Sequence, residues 1–542
     1  MTTQEVVPLW EGFEAFPHQV VGIEWMLEKE RVGTQCPQRK GGLPDKCVYG
    51  GFQCDEMGLG KTIEMLWTMK NNPKPLTLLM APLAMLDTWK EVSKKAGMRV
   101  YEAVKGVWCE VESETESARQ RDIRTFFGGK KEAVEEKAGV YITNYEQLLF
   151  HPKLMRTTHW DRIVLDEAHK IRNGDGTLSL LARKLTGDIR WALTGTPLVN
   201  SRKDVVALLG FLGVPVSPLW KWEPRLEGLL AKIMIHRTLE EVRAVVPGAP
   251  PVPIVENVIL PFKTGKEEEF YRGIQGAIAS KMKMYERDLL TTQQKFLLLI
   301  RLRQISVHPQ VYINAKRRED AEYGNEDWSG DATKVSALKE ILEADTAVEG
   351  TESDHRYLVF CQFLDEMELV KEALESEARP YSVEMYHGGL SQKERREVLE
   401  RAKKTERCVL LVQLQSGGVG LNLQEFDRCI FMSPWWTSAM INQAIARCVR
   451  MGQKKVVRVS FLKLKEEESL NIDTMIAEKA EEKAEMLQKI FEWGCAALFR
   501  KERPESGLLR SPPFCELLLK SSPHGGSALP HGARWECAPT RR

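Results

Sequence analysis

The sequence predicts an α/β protein with two parallel-sheet lobes, helical insertions and a C-terminal helix. Three observations carry that expectation. The chain has 542 residues, more than one hydrophobic core organises at roughly 100 to 200 residues per domain. Short apolar runs bounded by turn residues recur at 76–80, 139–142, 162–165 and 190–193, and again at 357–360, 408–412 and 429–432, with amphipathic stretches between them. Such alternation marks a sheet covered on both faces, and two sets make two lobes. Finally, 43% hydrophobic and 28% charged residues describe a globular chain, neither a polyelectrolyte nor a membrane protein.

The first set of runs places one lobe at residues 1–204. Residues 205–312 read as a mostly helical protrusion and lead-in. A polar interlobe linker is expected at 313–333, with the charge run Lys316, Arg317, Arg318, Glu319 and Asp320 as a solvated face. The second lobe is expected at 334–463. In 464–499, Ile472, Met475, Ile476, Leu487 and Ile490 are interleaved with charges, which predicts a helix bracing a lobe surface. Residues 500–542 are rich in Pro, Gly and Ser without periodicity and read as a disordered tail.

Charge is balanced, 77 Lys+Arg against 76 Asp+Glu, so a nucleic-acid partner must be met by a local groove. The odd count of 11 cysteines suits a reducing compartment, and Cys36, Cys47 and Cys54 lack the spacing of a zinc site. The first residues lack the basic start and apolar core of a secretory signal. The longest uncharged apolar stretch, 205–220, is broken by Gly210, Gly213, Pro215 and Pro218. It falls short of the roughly 20 residues a bilayer requires. The expectation is an intracellular protein that is neither secreted nor in a membrane.

The sharpest feature is Asp55, Glu56, Met57, Gly58, Leu59, Gly60, Lys61 and Thr62, followed by a stretch that can continue as a helix. Glycines let backbone N–H groups approach phosphate oxygens, and a helix N-terminus adds positive potential. Lys61 can then reach β and γ phosphates and Thr62 can hold Mg²⁺. Strict spacing would have Gly where Asp55 stands. A second motif, Asp166, Glu167, Ala168 and His169, follows the apolar run 162–165 and puts two acids at the end of a buried strand. Asp166 can hold Mg²⁺ through water, and Glu167 can polarise the attacking water.

These two motifs, with the Leu-Thr-Gly-Thr-Pro-Leu run at 193–198, resemble motifs I, II and III of superfamily 2 helicase-related ATPases. Within them they resemble the Swi/Snf-type DNA translocases, closest to the DNA-repair branch but without a RING insertion. The similarity runs from about Phe16 to Lys483. The stretch 15–19 with Gly22 and Trp25 looks like an adenine-reading motif, with Gln19 as the reader. The resemblance implies RecA-like lobes and nucleotide contacts from Gln19, the whole run 55–62, Gly420 and Asn422. It also implies DNA binding or coupling at Pro82, Thr143, Thr194, Gln362, Ser416, Gly417, Gly418, Trp435 and Gln443. The segment 301–309, ending at His308 and Pro309, resembles the family's helical lead-in to the second lobe.

Residues 443–453 resemble motif VI, and Arg447 and Arg450 at i and i+3 would share a helix face. A guanidinium is always charged and can bracket a transferring phosphoryl group, so both are arginine-finger candidates acting across the cleft. The chain departs from the family at Ser433, Thr437 and Ser438, where Asp, Asn and Pro are usual, and at Val449, where His is common. These changes spare the charges that hydrolysis needs and bear on coupling.

The resemblance therefore implies a DNA-dependent ATPase using ATP and Mg²⁺, translocating on double-stranded DNA and remodelling nucleosomes or other DNA-bound proteins. Recruiting subunits, a role in repair or transcription, and a nuclear location in a eukaryote or a cytoplasmic one otherwise are implied too. Two alternatives differ in class: a strand-separating DEAH-type helicase acting on DNA or RNA, and a DNA-binding scaffold without turnover.

Overall fold

The computed structural model describes residues 6–36, 47–111, 137–197, 202–214, 223–244, 246, 248–286, 291–346, 355–376, 381–405, 407–417, 421–465 and 471–493. The expected tail, 500–542, lies outside the described residues. Two mixed α/β lobes are present, each built on its own sheet.

The first sheet contains β1 (Thr34–Gln35), β2 (Cys47–Gln53), β3 (Leu76–Met80), β4 (Val100–Val104), β5 (Val107–Glu110), β6 (Gly139–Thr143), β7 (His159–Asp166), β8 (Thr186–Leu193) and β9 (Met234–Ile235). Their order is β1-β2-β8-β7-β3-β6-β4-β5, with β9 also on β2. All pairs are parallel except β1 with β2 and β4 with β5. The second sheet contains β10 (Ile254–Leu260), β11 (Tyr357–Cys361), β12 (Ser382–Tyr386), β13 (Cys408–Gln413), β14 (Arg428–Phe431) and β15 (Arg458–Leu464), in the order β10-β15-β14-β11-β13-β12. Every pairing in it is parallel. Parallel strands covered on both faces read as continuous apolar runs, so β3, β7, β11 and β13 are nearly all buried.

The described residues of 205–312 are mostly helical but also contribute two strands. Met234–Ile235 extends the first sheet and Ile254–Leu260 forms an edge of the second. β10 follows Pro250, Pro251 and Pro253, and its side chains are half-exposed, as an edge position permits. The crossover between the lobes is thus sheet-bound at both ends. Helix Pro309–Glu319 carries most of the charged run at 316–320, whose basic side chains are half-exposed to exposed and pair with acids around them. Arg317 pairs with Asp327 at 2.5 Å, Lys316 with Glu319 at 2.9 Å, and Arg318 with Asp365. Three basic residues in the last turn complement the partial negative charge of a helix C-terminus.

Helix Ile472–Trp493 spans both lobes. Ile472 and Ile476 pack with Ile278 and Leu302, while Leu487 and Phe491 pack on the core of the first lobe. Phe491 stacks on His236 at 3.5 Å between ring centroids. At the other end Lys334, fully buried, pairs with Asp473 at 2.7 Å. Lys334 also donates to Ser433 at 3.1 Å. Among the described residues no helix is long and apolar enough to cross a membrane.

Candidate nucleotide site

Parallel strands end on one side of a sheet, and the loops there form the crevice that binds ligands in open α/β folds. The end of β2 leads to Asp55, the end of β3 to Pro82, the end of β6 is Thr143, the end of β7 is Asp166, and the end of β8 leads to Thr194. Topology alone gathers the motifs of the first lobe on one rim.

The phosphate loop joins β2 to helix Lys61–Asn71. Gly58 and Gly60 hold φ of 91° and 96°, a region that side chains with a Cβ rarely adopt. A Cβ on Gly60 would also meet Gln19 Nε2 at 2.4 Å. Gln19 is buried against the loop, donating to the Leu59 carbonyl at 3.4 Å, and His18 Nε2 lies 3.0 Å from the same oxygen. Lys61 Nζ donates to the carbonyls of Asp55 and Glu56 at 2.7 and 3.3 Å. The loop is a backbone cradle with its ammonium held at the rim.

Asp55 and Glu56 do not turn their carboxylates toward that cradle. Asp55 is fully buried, bonded to Arg237 and to Gln53 Nε2, the latter at 2.7 Å. Burial pushes its carboxyl up, but the Arg237 guanidinium outweighs this and holds it below the usual range. Glu56 accepts from the Leu239 N–H at 2.7 Å, capping helix Leu239–Arg243. The place of Asp55 at a position expected to be Gly is explained by this network: the side chain leaves the loop on its rear side. Leu59 faces Val242 and Val246 in a small apolar cluster with Met451 of the second lobe against it.

Asp166 and Glu167 stand across from Lys61. Trp89 Nε1 donates to Asp166 Oδ2 at 2.7 Å, the Glu167 N–H to Oδ1 at 3.0 Å, and the Tyr145 hydroxyl to the Asp166 carbonyl at 2.7 Å. Burial and the adjacent Glu167 charge push the Asp166 carboxyl up to about 6. For Glu167, burial is outweighed by His169, 3.3 Å away, and by Lys61 and Arg447, so its carboxyl is lowered. Glu167 has φ 51° and ψ 50°, a strained left-handed conformation that residues with a Cβ rarely adopt.

The second lobe closes the site. Arg447 interacts electrostatically with Glu167 and Asp166, and the Arg450 Cβ lies 3.2 Å from where a Cβ on Gly58 would stand. Helix Ser438–Ile445 ends before either arginine, correcting the expected shared helix face. Turn bonds Arg447 N–H to Ala444 O at 3.1 Å and Gln453 N–H to Arg450 O at 3.0 Å shape the segment instead. A turn can aim two neighbouring guanidinium groups independently, which a rigid helical face cannot.

The residues expected to touch or couple to DNA are scattered in exposure. Thr143 and Thr194 are buried at strand ends, and Gln443 is buried on its helix. Trp435, 9% exposed, lies under the Arg303 guanidinium at 4.7 Å. Gln362 lies just past β11 with its N–H on Glu366 at 2.7 Å, and Pro82 starts the turn after β3. Ser416 and Gly417 belong to the short helix Leu414–Gly417, and Asn422 is exposed. Gly418 and Gly420 lie outside the described residues. Arg237, Gln53 and Glu64 were not legible as site residues, since Arg237 is 182 positions from Asp55.

For Mg²⁺ the donor set fits the usual habit of that ion: one or two carboxylates, with the remaining places filled by phosphate and water. Asp166 and Thr62 would supply such a half-site, and among the described residues there is no cluster of three or more His, Cys, Asp or Glu side chains that would make a protein cage.

Residues 18–311 match the SNF2-related domain and residues 333–452 the helicase conserved C-terminal domain. The chain is 28% identical over 513 residues to the "Probable global transactivator" of Orgyia pseudotsugata multicapsid polyhedrosis virus, covering 90% of this chain and 93% of that protein. It is 25% identical to an "Uncharacterized ATP-dependent helicase" of Mycoplasma pneumoniae, covering 81% of this chain and 40% of that one. It is also 25% identical to the mouse "SWI/SNF-related matrix-associated actin-dependent regulator of chromatin subfamily A member 1", covering 89% and 44%. The chain therefore spans less than half the length of these last two. With both halves matched and the two half-sites facing each other, the chain belongs to the SNF2-related family of helicase-like, DNA-dependent ATPases.

Proposed function

We propose that the protein is an ATP-driven translocase on double-stranded DNA that remodels chromatin or other DNA–protein complexes, in DNA repair or transcription. The observation that carries this reading is the division of one site between two lobes. Lys61, Asp166 and Glu167 come from the first, and Arg447 faces those acids from the second.

Lys61 leaves its carbonyl acceptors to meet the β and γ phosphates, and Gln19 contacts the base. Thr62 and Asp166 would hold Mg²⁺, which when bound neutralises charge between the phosphates. Glu167 orients the attacking water and accepts its proton, and the neighbouring positive charges that lower its carboxyl keep it ionised and open to that proton beforehand. Arg447 and Arg450 stabilise charge on the transferring group, which ties hydrolysis to lobe closure. Loss of the γ phosphate removes what those arginines bracket, and the lobes step relative to each other. Recruiting proteins and nucleosomes are the partners this reading supplies, with the nucleus as the site of action in a eukaryote.

The test compares ATP hydrolysis by wild type and Lys61→Ala with duplex DNA, single strands, RNA and nucleosomes, followed by displacement of a triplex-forming strand. Stimulation by duplex DNA with triplex displacement supports the reading. Unwinding of a forked duplex would move it to a strand-separating helicase, and hydrolysis indifferent to DNA would sink it.

A further inference from the structure

Arg237 is buried, and it lies just past β9 in the segment that leaves the first sheet and enters the second at β10. Its Nε lies 3.0 and 2.9 Å from the two Asp55 carboxylate oxygens. Its Nη2 lies 2.6 and 2.8 Å from those of Glu64, and its Nη1 donates to the His18 carbonyl. Asp55 and Glu64 are the two feet of the phosphate loop. One precedes it and the other sits in the first turn of the helix that follows. Gln53 Nε2 joins them, donating to Asp55 at 2.7 Å and to Glu64 at 2.8 Å.

The main chain repeats the tie. The Cys54 N–H donates to the Ile235 carbonyl at 2.8 Å and the Glu56 N–H to the Arg237 carbonyl at 2.9 Å. Lys61 Nζ rests on the carbonyl of Asp55, the residue whose carboxylate Arg237 holds. An independent mark of the cluster is Gly22 on the first helix. A Cβ there would come within 2.4 Å of Glu64 Oε2 and 2.7 Å of Arg237 Nη2.

A buried ion cluster is a weak source of stability, because desolvation offsets most of the attraction. What a planar guanidinium supplies is a fixed fork that sets two carboxylates in one geometry. We propose that Arg237 is a positioning residue for ATP hydrolysis. It fixes both feet of the phosphate loop to the segment crossing between the lobes, so that Lys61 meets the phosphates in a single arrangement. This rests on ATP hydrolysis at the loop and not on movement along DNA.

The test measures kcat and KM for ATP, with and without duplex DNA, and the thermal midpoint, for the full chain and for Arg237→Met, Arg237→Lys and Gly22→Ala. A misplacement of about 1 Å remote from the chemistry costs on the order of a hundredfold, and that loss in kcat/KM is expected for Arg237→Met. Arg237→Lys keeps the charge without the fork and should recover part of it. Gly22→Ala, which presses on the cluster from outside the loop, should lose activity in the same direction. If Arg237→Met does not fold, the other two variants decide. Folded variants that lose thermal stability yet keep wild-type kcat and KM would reduce Arg237 to a structural residue and overturn the proposal. Absence of turnover in the wild type would instead overturn ATP hydrolysis at this loop.

Discussion

The indole Nε1 of Trp89 donates to the Asp166 carboxylate at 2.7 Å, both groups being buried. A hydrogen bond to a charged group contributes roughly 1.5–3 kcal/mol, so its loss leaves a carboxylate already pushed toward protonation with one donor fewer. Trp89→Phe is expected to lower kcat by about tenfold or more, with the deficit growing as pH falls toward 6. Steady-state hydrolysis between pH 6 and 8 checks this, and a flat ratio to wild type would contradict it.

Arg447 completes the site from the other lobe, so its removal should spare nucleotide binding to the first lobe and strike hydrolysis. Arginine fingers contribute on the order of a thousandfold or more to turnover. Arg447→Ala is expected to lose about that much in single-turnover rate while ATP affinity changes less than severalfold. A large loss of ATP affinity with unchanged turnover of the bound fraction would contradict the assignment.

The buried pair of Lys334 and Asp473 joins the start of one lobe-two helix to the C-terminal helix. Removing one partner leaves an uncompensated buried charge, at about 3–5 kcal/mol, whereas replacing both by apolar groups is often neutral. Asp473→Leu should destabilise the chain strongly, and Lys334→Met with Asp473→Leu should recover most of the loss. Denaturant midpoints of the two variants decide it.

His308 is buried, and its Nδ1 accepts from the Gln310 N–H at 3.0 Å, capping helix Pro309–Glu319. Burial lowers its pKa to about 4 from the ordinary 6.5. The unfolded chain therefore takes up a proton that the folded chain resists. Stability is present above pH 6.5 and is lost as pH falls toward 4, at up to about 1.4 kcal/mol per unit. His308→Asn keeps an acceptor at the cap without titrating, so the slope of stability between pH 6.5 and 5 should flatten.

All seven apolar runs read from the sequence are strands, because central parallel strands have to be apolar on both faces. Two of the strands that went unread have local reasons. β2 contains Gly50 and Gly51, which look like a turn. In the fold a Cβ on Gly50 would meet the Arg190 carbonyl at 2.1 Å, and one on Gly51 the Ile233 carbonyl at 2.3 Å. The glycines let β8 and the end of helix Glu223–Ile233 approach. β10 is an edge strand whose half-exposed pattern carries no strong period.

By itself the sequence determined the two-lobe α/β class and the residue types that phosphate chemistry requires. Glycines, a lysine and a hydroxyl before a helix, and paired acids after an apolar strand, are local patterns set by short-range geometry. Tertiary structure decided which groups meet across long separations: Arg237 with Asp55, Trp89 with Asp166, Lys334 with Asp473, and Arg447 with Glu167. Such pairs leave no periodic trace along the chain, since they form where strand ends converge and where two lobes close. Burial and neighbouring charge then settled their chemistry: burial and the Glu167 charge raise Asp166, while His169, Lys61 and Arg447 outweigh burial and lower Glu167, although the two acids are adjacent in sequence.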